Sequence, residues 1–507
     1  MKNIAYIVSF LLSLSILVSC DDMLETKNYT DMVHSNFFQS EKDFNSALIA
    51  IYRPCTVDWG YTDGGTGQWH RSLFNADKNT YLIAGDLSTD ILRSYQASDV
   101  YEHFQVRPST GGPIEDVYYM IRFVAKATDV INRIQNSSGA TEEIRNRYIA
   151  EAKTLRAFYM YVLLDWFGPV SVKLDPSTLF DNTIVPRPSY DDYIGYIESD
   201  LNDAVNTASF PDKYNDSPES WGRMSKSIAY AIQIRLYMHE KNWAKVKEVA
   251  ENKLMKMGFS IIGNYKDLFI KSCTSEHIWS IPANSSLANY YVVETLPDDF
   301  KRGFNHKGWV YQHGDNDNAL PGWAAFCMRW EFYDTFEDND VRKETILCEY
   351  ETIGGQIKNR ANNNMVGPIG IKFTDNTGVN STGISKEQPI IRYAEVLLSY
   401  AEAENELNNG PTSAAIDAVT QVTGRANTTI PASALVDRDS FRSFLLAERG
   451  RELFGEGQRR QDLIRHDEYI KRAKERGDKA EDYQVLYPIP QYVITEAGGV
   501  IEQNSGY

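Results

Sequence analysis

Cysteine is scarce in this chain, five in 507 residues with no CxxC spacing. Cys55, Cys273, Cys327 and Cys348 lie far apart in the body, which excludes the disulfide framework that staples small exported domains and leaves room for one bridge or for buried free thiols. The eight histidines are dispersed without a metal-ligand spacing, and Asp315-Asn316-Asp317-Asn318 opens like a calcium loop but has no glycine at its sixth position and Phe326 where the closing Glu should stand. No metal is expected. Beyond residue 20 no apolar run approaches the roughly 20 residues of a membrane span. Basic residues are the minority: 52 Lys and Arg against 69 Asp and Glu give a net charge of −17, which excludes nucleic acid as a partner because phosphate neutralisation needs clustered cations. Catalytic signatures are missing as well. Gly65-Thr66-Gly67 lacks the third glycine of a dinucleotide loop, Gly258 to Gly263 is followed by Asn264-Tyr265 where a phosphate loop needs Lys and Ser/Thr, and neither GxSxG nor HExxH occurs. No cofactor is expected.

What is present begins at the N-terminus. Lys2 and the apolar run from Ile4 to Val18 read as a secretory signal, too short and too Ser-interrupted for a spanning helix. Its ending, Leu17-Val18-Ser19-Cys20, resembles the lipobox of bacterial lipoproteins, in which the Cys is acylated and becomes the first mature residue; the alternative is an ordinary signal that happens to end in Cys. Asp21, Asp22, Glu25, Lys27 and Asn28 then make a solvated tether. The expected organisation is a signal over 1–19, lipidated Cys20 and tether over 20–35, and a single body over 36–507.

Within that body, helical periodicity dominates from about 36 to 260 and again from about 386 to 507. NFFQSEKDFNSALIAIYRP carries a stripe that ends at Pro54, and a long loop, VDWGYTDGGTGQWHRS, follows. IEDVYYMIRFVAKATDVINRIQ and ATEEIRNRYIAEAKTLRAFYMYVLLDWFGPV read as a hairpin of helices, the second capped by Thr141 and closed at Gly168-Pro169. SKSIAYAIQIRLYMHEKN and WAKVKEVAENKLMK, joined by the turn His239–Asn242, match a tetratricopeptide-like pair. QPIIRYAEVLLSYAEAENELNN and TSAAIDAVTQVTGRA supply another, broken at Asn409-Gly410-Pro411. The predicted fold is mostly α, a helix-pair scaffold with few short strands. Between about 260 and 385 the periodicity fails and Asn-, Asp- and Gly-rich loops alternate with short apolar runs such as HIWSIPA, a setting for a binding surface.

Aromatics are plentiful: nine Trp, 31 Tyr and 22 Phe. Phe158, Tyr159, Tyr161 and Trp166 sit at helical spacing and read as core. Others stand in polar loops, where Trp or Tyr stacks on the weakly apolar face of a sugar while Asp, Asn, Gln and Arg bond its hydroxyls. Trp59, Tyr61 and Trp69, interleaved with Asp58, Asp63, Gln68 and Arg71, fit that role, as do Trp309, Tyr311 and Trp323 near Asn305 and Asp315. Local packing under the loops is the competing reading of each. A secreted glycoside hydrolase with paired carboxylates also stays open, although Glu448, Glu452 and Glu456, near Arg449, Arg451 and Arg459, are better explained as ion pairs that pin helices.

The C-terminal third narrows the class. FRSFLLAERGRELFGEGQRRQDLIRHDEY and VLYPIPQYVITEAGGVIEQNSGY resemble the SusD/RagB family of nutrient-binding outer-membrane lipoproteins, with its ERxxEL-x-x-EGxRxxDLIR segment and PIP…QNPGY-like tail. The match runs back through IIRYAEVLLSYAEAENEL, the DNDVR turn at 338–342, YAIQIRLYMHEKNWAKV and AKTLRAFYMYVLLDWFGPV; Ser505 and Gln461 are small departures. The resemblance implies a SusD-like superhelix of four tetratricopeptide-like units carrying a variable, loop-rich ligand face. It further implies a lid over a SusC-like TonB-dependent transporter that captures and delivers oligosaccharides, or peptides in some members, without chemistry on the ligand. Binding residues are not fixed across that family, so none is carried over. A repeat lipoprotein that only scaffolds other surface proteins is the remaining alternative.

Overall fold

The computed structural model describes residues 37–507 except 57–58, 64–65, 283–288, 302–304, 307–308, 311–321, 363 and 374–385. Cys20 with its signal and tether, Tyr311 and the Asp315–Asn318 loop thus lie outside the described residues. Ten helices carry the architecture: α1 (Glu41–Thr56), α2 (Met120–Gln135), α3 (Glu142–Phe167), α4 (Tyr190–Asn206), α5 (Lys226–His239), α6 (Trp243–Asn252), α7 (Tyr393–Leu407), α8 (Ser413–Arg425), α9 (Arg438–Leu453) and α10 (Arg459–Arg465). Each of α2 to α7 packs on the next, α1 lies against α2 and α3, and α9 joins α7. This is the stack of antiparallel pairs that the periodicity predicts.

Local chemistry sets the helix ends. Thr141 accepts a hydrogen bond from the Ile144 N–H at 3.3 Å and Glu142 and Glu143 follow in the first turn of α3; at its far end Gly168, at φ 70°, supplies a left-handed conformation that a side chain would strain. The second half of α3 is apolar on nearly every face, and Leu155, Phe158, Tyr159, Leu163 and Trp166 are all buried, as a helix flanked on several sides must be. Asn242 caps α6 through the Lys245 N–H at 3.3 Å, which keeps the turn between α5 and α6 short. One continuous apolar core runs from Phe38 to Ile501.

The structure corrects the sequence reading in four places. The loop after α1 is a two-stranded hairpin, Trp59–Asp63 with Thr66–His70. Helix α1 runs past Pro54 to Thr56, a proline tolerated because it stands in the last turn. Gln388–Arg392, expected to start α7, is instead a strand paired antiparallel with His277–Ile281; every residue of both is buried, and the register slips beside Pro389, which has no N–H to give the ladder. The expected strand in HIWSIPA is therefore present, and its partner is the segment that leads into α7. Because α6 packs directly on α7, residues 253–392 leave the stack and return to it, and this ladder closes the excursion at its base.

The fourth correction concerns partners. Glu448, Glu452 and Glu456 do pin the fold, but chiefly through cations far away in sequence. Arg392 bonds Glu276 at 2.7 Å, Glu452 at 2.9 Å and Glu456 at 2.8 Å; Arg425 joins Glu276 at 2.9 Å and also Glu452; Arg342 reaches Asp340 at 2.7 Å, Glu448 at 2.8 Å and Glu452 at 3.3 Å; Lys372 meets Glu456 at 2.8 Å. Arg342, Lys372 and Arg392 are fully buried. Burial opposes ionisation of Glu452, yet Arg425 and Arg392 hold its carboxyl well below the usual range. Arg451 at 2.7 Å is the one neighbour in sequence that pairs with Glu448, whereas Arg449 goes to Asp462 and Arg459 to Asp90. Cys55, Cys273, Cys327 and Cys348 are all free thiols.

Candidate functional site

Four segments of different origin converge on Trp323. The chain leaving the hairpin, residues 71–79, is polar but inward-facing: His70 Nδ1 sits 2.7 Å from Asp116 Oδ1, the Arg71 N–H donates to Asp116 Oδ2 at 3.1 Å, and Asn75 and Asp77 are both buried. Asp77 accepts from the Asn79 N–H at 2.8 Å and stands 3.5 Å from the half-exposed Arg71 guanidinium. The second segment is the short helix Tyr291–Thr295, tied to the first where the Tyr290 N–H donates to the Asn75 carbonyl at 2.8 Å and the Lys78 N–H to Glu294 Oε2 at 3.1 Å. The third, Trp323 to Ala325, runs beside that helix, the Trp323 N–H donating to the Val293 carbonyl and the Ala325 N–H to that of Glu294, both at 2.7 Å. The fourth brings Gln96 and Asp99 to Lys78 Nζ at 2.8 and 3.4 Å.

The product is a shelf. The Trp323 ring stacks on Tyr290, centroids 5.7 Å apart and planes 21° from parallel, and Trp323 remains 46 % exposed. An aromatic ring backed on one side and wet on the other offers a flat apolar floor, and the half-exposed Arg71 on the segment tied to Tyr290 adds a hydrogen-bonding group. Beneath it Glu294 is buried, and burial followed by the charge of Asp77 pushes its carboxyl up to about 8.

Of the sequence candidates, Trp323 stands in this shelf, and Trp59, Tyr61 and Trp69 belong to the hairpin whose outgoing end supplies Arg71. Their register separates them: Trp59 pairs with His70 and Tyr61 with Gln68, while Trp69 pairs with Gly60 and so has the opposite parity in the ladder. Trp309 pairs with His306 in a two-residue ladder, and Asn305 with Val310. Sequence reasoning missed Tyr290, Asp77, Lys78 and Glu294. Tyr290 was hidden inside the apolar run NYYVVE, and the run Asn75-Ala76-Asp77-Lys78-Asn79 carried an overlooked signal, four polar side chains in the stretch that follows an aromatic hairpin.

Among the described residues no His, Cys, Asp or Glu group has the arrangement of a metal site, and no helix is long and apolar enough to cross a membrane. Residues 347–507 match the family model described as the SusD family, and residues 22–238 match a second described as starch-binding associating with outer membrane.

The chain belongs to the SusD/RagB family.

Curated SusD-like relatives extend over most of its length. SusD-like protein P25 of Formosa agariphila is 26 % identical over 483 residues, 88 % of this chain and 87 % of that one, and the starch-binding protein SusD of Bacteroides thetaiotaomicron is 23 % identical over 434 residues, 74 % and 75 %. Among SusD-like folds of known structure, surface glycan-binding protein A from Bacteroides thetaiotaomicron in complex with laminarihexaose superposes with a TM-score of 0.71 at 18 % identity, covering 92 % of this chain and 99 % of that one. The helical SusD-type fold is thereby shared.

Proposed function

We propose that this chain is a surface glycan-binding lipoprotein that captures oligosaccharides and delivers them to a SusC-like TonB-dependent outer-membrane transporter, held in the outer membrane by lipid on Cys20. The observation that carries glycan capture is the half-exposed Trp323 stacked on Tyr290, with the exposed Arg71 on the adjoining segment. Two relatives, a starch-binding protein and a glycan-binding protein in complex with laminarihexaose, point the same way. Trp59, Tyr61, Trp69, Trp309 and Tyr311 are proposed to extend the stacking surface from the neighbouring loops. Delivery and the lipid anchor rest on the family resemblance and the Leu17–Cys20 ending.

The hydrolase alternative has one specific observation in its favour, a raised carboxyl at Glu294 near Asp77. Both residues are only 3 % exposed, and Glu294 Oε2 and Asp77 Oδ1 accept from the Lys78 and Asn79 N–H groups, so burial keeps both from a glycosidic oxygen. Binding without chemistry is the reading they support. Calorimetric titration of the purified chain with laminarihexaose, maltohexaose and xylohexaose tests it: Trp323→Ala with Trp69→Ala is expected to abolish the heat of binding, and unchanged affinity would sink the proposal. Incubation with the sugar that binds is expected to release no new reducing ends.

A further inference from the structure

We propose a second carbohydrate subsite at the C-terminal tail, built around Tyr483 and taking a neutral sugar unit. A cavity of about 830 Å³ opens there between residues 103–109 on one wall and residues 477–484, Gln491, Gly506 and Tyr507 on the other. That volume lies in the range of small-molecule sites, roughly 300–1,000 Å³, and suits one to three pyranose rings.

The side-chain arrangement repeats the logic of the Trp323 shelf with different parts. Gly506 backs the Tyr483 ring so closely that a Cβ there would fall 2.3 Å from it, and its φ of 94° is one that a side chain would strain. Tyr507 meets the same ring edge-on, centroids 4.8 Å apart, and is anchored by its hydroxyl, which donates to the Leu486 carbonyl at 2.9 Å. Yet Tyr483 remains 38 % exposed. The ring is thus fixed on one side and wet on the other, at the mouth of a cavity. Gln105, Arg107, Ser109, Lys479 and Gln491 stand exposed along the rim. Arg107 and Lys479 form no ion pair among the described residues, so their donors are available, while Asp478 on the same rim is already paired with His103 at 3.0 Å. With Glu481 also present, the rim carries both signs in near balance, which favours hydroxyl-bearing neutral sugars over anionic ones.

Position gives the subsite a role. The loop that lends Gln96 and Asp99 to Lys78 beside the Trp323 shelf continues into residues 103–109, the wall of the cavity. Two stacking floors bordering one loop would grip an oligosaccharide at two points, raising avidity through effective concentration.

This inference rests on the reading of the chain as a glycan binder, and the experiment separates the two. Titrate laminarihexaose, maltohexaose, xylohexaose and a mixed pentapeptide library into the purified chain, into Trp323→Ala, and into Tyr483→Ala, Tyr483→Phe and Arg107→Ala. The subsite predicts that Tyr483→Ala and Arg107→Ala each weaken a hexasaccharide about tenfold, that Tyr483→Phe binds as the parent does, and that weak binding surviving in Trp323→Ala disappears when Tyr483→Ala is added. Arg107→Ala guards against the tail simply unpacking, since it leaves the tyrosine contacts intact. Parent-like affinity in both Tyr483→Ala and Arg107→Ala, with loss only at Trp323, would overturn the subsite and keep the shelf. Peptide binding that depends on Tyr483 would overturn the sugar assignment, and absence of hexasaccharide binding by the parent chain would overturn both readings.

Discussion

The helical stack and the excursion between α6 and α7 solve opposite problems with similar amino acids. In the stack, aromatic residues disappear: Trp166 touches Tyr81 and Tyr487 and is 1 % exposed. In the excursion Trp323 stacks on Tyr290 and keeps nearly half its surface exposed. Charges differ in the same sense. At the base of the excursion they are buried and fully paired around Arg392, whereas beside the shelf Arg71 and Lys78 retain contact with water. A residue type therefore says little about its role; the number of elements packed around it decides.

That contrast can be broken most severely at Arg392. Arg392→Met removes the cation that Glu276, Glu452 and Glu456 share and leaves these buried carboxylates to Arg425, Arg342 and Lys372 alone, and urea unfolding is expected to show a loss of about 3–5 kcal/mol, with binding falling only because the fold does. Next, Trp323→Ala should cost glycan affinity at least about tenfold, ~1.4 kcal/mol, with the unfolding midpoint unmoved, since an exposed ring contributes little to the core. A midpoint that fell with affinity would show that the shelf is structural after all.

A third, smaller effect is one of pH. Glu294 has a folded value of about 8, above its ordinary 4.5, so between those limits the folded chain holds a proton that the unfolded chain releases. The stability that the neutral form contributes is lost as pH rises through about 8. Glycan affinity is expected to decline from pH 7 to 9 as ionised Glu294 repels Asp77 under the shelf, and Glu294→Gln to flatten that decline; an equally steep profile in the variant would remove the cause. The smallest effect belongs to the stack: Thr141→Ala removes the cap of α3 and should cost about 1 kcal/mol by thermal unfolding, leaving affinity alone. In cells, Cys20→Ala is expected to impair uptake while the purified variant binds glycan as the parent does.

Much of the scaffold was legible because its signals are local. Thr141, Gly168 and Asn242 sit where caps and stops belong, and the α5–α6 pair announces itself by spacing. What escaped was long-range or masked. The WGYTD and TGQWH strands alternate, but four glycines in that stretch read as loop. QPIIR reads as the start of α7 because its apolar residues run on without a break, and only the partner strand, more than a hundred residues earlier, reveals the ladder. Glu452 finds Arg392 and Arg425, 60 and 27 residues away, a distance over which no periodicity informs. At the shelf, exposed Trp323 could be nominated from its loop; the Tyr290 that backs it could not, since stacking is a property of two segments.

The ladder of Gln388–Arg392 on His277–Ile281 has a consequence for how such chains diversify. It makes the excursion a cartridge with a defined socket, because the stack remains continuous across it from α6 to α7. A foreign loop region could be transplanted between those helices provided it brought its own equivalents of Arg342, Lys372 and Arg392 to engage Glu448, Glu452 and Glu456, with carboxylates in the places of Asp340 and Glu276 beside the arginines. New ligand preferences would then come from exchanging the cartridge, with the socket charges acting as the lock that admits it.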